Sequence, residues 1–129
     1  MLRTITATVS SLVLSAGLLA LAAPATASDD EVRRTGNCSG TSDWKLKAKP
    51  DDGRIEVEGE VDSNRVGQTW RWRIVHNGST SSRGRARTTA PSGSFSVERR
   101  VVDVKGRDKI VFRARHRRTG ETCRGVVRL

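Results

Sequence analysis

Arginines fall at even spacings in three separate stretches of this chain: Arg71 and Arg73, then Arg113, Arg115 and Arg117, then Arg124 and Arg128. Even spacing puts side chains on one face of a β-strand. A guanidinium stays charged and grips an oxyanion through two parallel N–H bonds, so repeated arginines on one face suit phosphate-, sulfate- or carboxylate-rich partners. Residues for covalent or acid–base chemistry are scarce. His76 and His116 are the only histidines. They sit late in strands expected to run antiparallel, which separates them by on the order of 20 Å. A general base needs a partner within hydrogen-bond reach. No nucleophile motif, glycine-rich phosphate loop or metal-ligand spacing occurs, so we expect no enzyme activity, no cofactor and no metal.

Arginine outnumbers lysine 19 to 5, and the formal net charge is +10. A basic domain is drawn to polyanions such as anionic envelope polymers, nucleic acid or acidic protein surfaces. A genome rich in G and C also favours arginine over lysine, and a purely solubilising face is the competing explanation. Codon usage does not explain why these seven arginines recur at even spacings with no carboxylate at the in-phase positions within each stretch.

Arg3 precedes an uncharged stretch to Ser28 with short apolar runs at Leu12-Val13-Leu14 and Leu18-Leu19-Ala20-Leu21. Pro24 then leads into Ala25-Thr26-Ala27, a small-x-small cleavage signal. Residues 1–27 are therefore expected to be a secretory signal peptide. The apolar core is too short for a transmembrane anchor. Residues 28–37 are polar and without periodicity and are expected to form a flexible leader. Residues 38–129 suffice for one domain. Cys38 and Cys123 are the only cysteines, and in an exported protein an even pair is expected to be a disulfide.

The elements that must position the arginines are strands. Trp70, Trp72 and Ile74 alternate with Arg71 and Arg73, and Asn77-Gly78 closes the run with a hairpin turn. Trp44, Leu46 and Ala48 alternate with Lys45, Lys47 and Lys49, and Pro50-Asp51-Asp52-Gly53 turns the chain into Arg54 to Asp62. A four-residue turn would pair Lys49 with Arg54, setting Leu46 opposite Val57 and Lys47 opposite Glu56. Residues 80–88 conflict in parity with a two-residue turn at Asn77-Gly78, so their register and sheet stay open. Arg99-Arg100 disturbs the alternation after Phe95 and Val97 and suggests a bulge. Lys109 to Arg117 and the last strand pair with Arg117 against Thr122, placing Arg115 opposite Arg124. The tryptophans share parity with Leu46 and Ile74, which favours core packing over a carbohydrate-stacking platform.

Seven short, turn-punctuated strands without a helix predict an all-β, seven-stranded antiparallel β-sandwich. The layout, with its tryptophan-bearing third strand, resembles an immunoglobulin- or fibronectin-III-like domain. Cys38-Ser39-Gly40, Trp44-Lys45-Leu46-Lys47, Trp70-Arg71-Trp72, His76-Asn77-Gly78, Ala90-Pro91-Ser92-Gly93-Ser94-Phe95 and Thr119-Gly120-Glu121-Thr122-Cys123 resemble a group of small exported actinobacterial proteins of unassigned function. That resemblance implies export and a sandwich and carries no activity. In the strand order it implies, Arg71, Arg73, Arg113, Arg115, Arg117, Arg124 and Arg128 share one surface. The expectation is a secreted or cell-wall-associated binding module for an anionic polymer. Any nucleic-acid binding would be indifferent to sequence, for want of a groove-reading element. The alternative is a structural or protein-interaction domain with no polyanion ligand.

Overall fold

The computed structural model describes residues 30–129 and Gly17; apart from Gly17, the expected signal peptide lies outside the described residues. Eight strands follow in order: β1 Val32–Asn37, β2 Asp43–Asp51, β3 Arg54–Asp62, β4 Thr69–His76, β5 Ser79–Arg87, β6 Ser94–Val102, β7 Lys109–His116 and β8 Thr122–Arg128. They form two four-stranded sheets, ordered β1-β2-β3-β6 and β5-β4-β7-β8, and every pairing is antiparallel. The inner faces meet in one core, with Leu46, Ile55, Val57, Val61, Trp70, Ile74, Ile110 and Phe112 fully buried. Among the described residues no helix is long and apolar enough to cross a membrane.

Among the described residues the strand count is eight, because β1 lies within the segment expected to be a flexible leader. Val32 pairs with Ala48 and Asn37 with Asp43. The pattern was weak because β1 is an edge strand whose side chains are mostly exposed, and backbone pairing holds it instead.

Both hairpin registers inferred from turn length are shifted by two residues. In the first, Asp51 pairs with Arg54 around the two-residue turn Asp52-Gly53, where both residues have positive φ, 50° and 75°. This primed turn matches strand twist. Pro50 is accommodated because its nitrogen faces away from β3, at a point beyond the last β1 pair, so no ladder bond is lost. Lys47 meets Glu58 and Ala48 meets Val57. A slip of two preserves side-chain parity, which is why the core residues were still legible. In the second hairpin β7 ends at His116 and Arg117–Gly120 form the turn, so Arg124 stands opposite Arg113, not Arg115.

The parity conflict after Asn77-Gly78 is resolved by a bulge. The turn has two residues, at φ 47° and 85°, and His76 pairs with Ser79. Register then shifts between Ile74 and Val75, because Val75 meets Thr80 but Ile74 meets Ser82. Ser81 is the extra residue, and beyond it Arg83 and Arg85 face the same side as Arg73 and Arg71. No bulge occurs at Arg99-Arg100, since β6 pairs with β3 without interruption from Ser94 to Val102. Arg99 instead holds the inward phase at the open side of the sandwich, its guanidinium carbon 4.9 Å from the Trp72 ring centre.

Each open side is closed by an indole lying over glycine. Trp72 covers Gly84, where an added Cβ would stand 2.9 Å from the ring. On the opposite side Trp44 covers Gly125, where the gap would be 2.5 Å. The Cys38–Cys123 disulfide is present and joins the β1–β2 loop to β8, across the two sheets. Beside it the Glu121 carboxylate accepts hydrogen bonds from the Gly40 and Ser42 amides and the Ser42 hydroxyl, at 2.9–3.0 Å. The bridge spans 85 residues in sequence, so it removes much denatured-state freedom, about 4–5 kcal/mol in the chain-entropy view.

Candidate anion-binding face

The outer face of the β5-β4-β7-β8 sheet carries the arginines in register. Arg71 stands between Arg85 and Arg115, and Arg73 stands between Arg83 and Arg113, which is followed by Arg124. Two rows therefore cross the strands, one of three arginines and one of four. The four strands contain nine arginines and Lys109 but no aspartate or glutamate. Among the described residues none of these nine arginines forms an ion pair. The seven row arginines line an open groove of about 950 Å³, with Gly84, Ala114 and Cys123 contributing to its floor.

Like charges directly opposite one another weaken a ladder. Here the cost is offset by the core beneath and by the next row on the same face, Val75, Val111 and Val126. Val111 is only 6% exposed although it points outward. Its neighbours in the rows on either side are long cationic side chains whose apolar stems can cover it while their heads stay in water.

Of the expected site residues, Arg71, Arg73, Arg113, Arg115 and Arg124 lie in the rows. Arg128 is on the same face beyond the valines, opposite Lys109. Arg117 lies past the end of β7, where its amide donates to the Thr69 carbonyl, and it borders a separate recess with Arg65 and Arg118. Arg83 and Arg85 were missed, as was Arg87 opposite Thr69. Their alternation with Gly84 and Ala86 was visible, but the bulge at Ser81 disguised which way they point.

The other sheet carries mixed charge. Lys47 pairs with Glu58 at 3.3 Å and Arg100 with Asp51 at 3.8 Å. Glu98 stands opposite Glu58. A hydrogen bond with Glu56 holds the Glu98 carboxyl above the usual carboxylate range, and the same bond holds Glu56 below it.

Trp70 and Trp72 are buried, at 0% and 4% exposure, so neither offers a stacking surface. Trp70 stacks on His116, with ring centres 5.1 Å apart, and donates its indole N–H to Gln68. His116 pairs with Trp70 and His76 with Ile110, at opposite ends of β4. His76 Nε2 lies 2.6 Å from the carboxylate of Asp108, which is 2% exposed. This contact ties the end of β4 to the β6–β7 loop. Nearby, a hydrogen bond to Asp108 holds the Asp103 carboxyl above its ordinary range. Among the described residues no group of three or more His, Cys, Asp or Glu could hold a metal ion.

No family model matches the chain, and no curated protein or solved structure matches it either.

Proposed function

We propose that this is a secreted, non-catalytic binding module that holds an anionic polymer on the arginine-bearing sheet. The observation that carries the reading is the pair of cross-strand arginine rows with no carboxylate in any of their four strands. Guanidinium groups without acidic partners keep their hydrogen-bonding capacity for an external oxyanion. Export is supported by the signal-peptide pattern of residues 1–27 and by the disulfide. The domain reads as immunoglobulin- or fibronectin-III-like. With β1 set aside, three strands (β2, β3, β6) face four (β5, β4, β7, β8), the division such a seven-stranded sandwich needs. Nucleic acid would bind through its backbone alone and without sequence preference.

The test compares retention on heparin or phosphocellulose for two variants of equal charge. One changes Arg71, Arg73, Arg113 and Arg115 to Gln; the other changes Lys45, Lys47, Lys49 and Arg54 to Gln. Elution at much lower salt for the first alone is the expected result. Equal loss in both would leave only net charge at work and favour a structural or protein-interaction domain with solubilising arginines.

A further inference from the structure

We infer that the groove takes a single, unbranched chain of condensed phosphate, lying across the four strands between the two arginine rows. This inference rests on the polyanion-binding reading above and narrows its ligand.

The direction follows from the register. The row of three and the row of four run perpendicular to the strands, one residue pair apart, so their Cα atoms are about 6.6–6.8 Å apart along the strand. From β5 to β8 the row of four extends over three strand spacings, about 14 Å, and the row of three covers the first two of them. A chain lying along β4 or β7 would meet two row arginines and then run onto the valine row. A chain lying across the strands meets guanidinium groups on both flanks from β5 to β7 and Arg124 on one flank at β8.

The chemistry follows from density and from what the face lacks. Seven guanidinium groups along about 14 Å amount to one positive charge per about 2 Å of groove. One nucleic-acid strand presents a charge only every 3.4 Å or so because a sugar separates its phosphates, whereas in a condensed phosphate neighbouring phosphorus atoms share a single oxygen and the charges lie closer together. No aromatic side chain points outward from these four strands, so the face offers no aromatic platform for bases or sugar rings. A trough one residue pair wide suits a backbone without pendant groups. Phosphate oxygens on both sides of such a chain would meet the forked donors of both rows.

The experiment uses the mature protein and measures affinity for three probes at one ionic strength: long-chain inorganic polyphosphate, oligothymidylate and heparin. Tripolyphosphate, shorter than the groove, is a fourth. Polyphosphate is expected to bind about tenfold or more tighter per chain than oligothymidylate of equal charge, with tripolyphosphate far weaker than the long chain. Changing Arg71 and Arg113 to Gln should then weaken polyphosphate binding by about tenfold. Changing Arg87 and Lys109 to Gln, which lie on the same sheet outside the groove lining, should weaken it several times less. Equal affinity for polyphosphate, oligothymidylate and heparin would overturn the inference and leave the broader reading standing, as would equal losses in the two double variants. Failure of all probes to bind would overturn both. Circular dichroism of each variant confirms that a loss comes from a folded protein.

Discussion

Trp72 shows what a single side chain contributes here. Its indole fills the gap at the β5–β6 side of the sandwich, with Gly84 beneath it and Arg99 across its ring. Among the described residues its N–H has no partner, so the contacts it makes there are packing contacts rather than polar ones. Trp72→Ala is expected to cost about 3–5 kcal/mol, as other large aromatic truncations in cores do. Gly84→Ala tests the same contact from the other side. The added methyl would press on the ring at 2.9 Å, and overpacking of this kind costs about 1–3 kcal/mol. Urea unfolding of both variants measures these losses. A Gly84→Ala protein as stable as the parent would show that the indole moves aside freely and does not close that side.

At the scale of the strands, the sequence was most legible where alternation was regular. Trp70 to Ile74 and Ile55 to Val61 declared their buried faces because strand parity survives an error of two in register. What was hidden depends on single residues outside that pattern. Ser81, polar like its neighbours, makes the bulge that turns Arg83 and Arg85 outward, and no composition signal separates it from Ser82. β1 was hidden because an edge strand needs only its backbone to pair. Arg99 looked like a fault in β6 because its charge sits in an inward position, yet the open side of the sandwich gives it room over Trp72. The acidic outer face of β3 and β6 carries a pH prediction. Glu98, whose pKa is raised by its bond to Glu56, adds stability while protonated and loses that contribution as pH rises through its folded value. Glu56, whose pKa is lowered by the same bond, contributes above its unfolded value and loses it as pH falls through its folded one. As pH rises through the folded value of Glu98 the shared proton is lost, and the Glu98 carboxylate then repels Glu56 and Glu58. Glu98→Gln keeps a donor for Glu56 and removes that repulsion. Its melting temperature should therefore exceed the parent's at neutral pH and match it at mildly acid pH. An equal difference at both would show that the carboxyl's charge is irrelevant.

Over the whole molecule the charge is divided between the two sheets. The strands of β1-β2-β3-β6 mix lysine, arginine, aspartate and glutamate, whereas those of β5-β4-β7-β8 hold only cations. The core between them separates the two outer faces by roughly a sheet-packing distance of 10 Å plus side chains, beyond one Debye length at physiological salt. The two faces should therefore act independently toward a bound polymer. Contact with phosphates releases condensed counterions, and for a single strand log K falls with log salt at about 0.7 per phosphate neutralised. If all seven row arginines engage, oligothymidylate binding should show a slope near −5, and partial engagement a proportionally smaller one. Changing Arg71 and Arg73 to Gln should make the slope shallower by about 1.4, because two contacts are lost. Changing Lys47 and Lys49 to Gln removes the same charge from the other sheet and should leave the slope unchanged. Long-range attraction alone would lower affinity in both variants without changing the number of ions released in either. Fluorescence anisotropy over a salt series reads these slopes directly. Slopes that shift equally in both variants would mean that the polymer does not choose between the faces, and the arginine rows would then be no more than the most basic part of a basic surface.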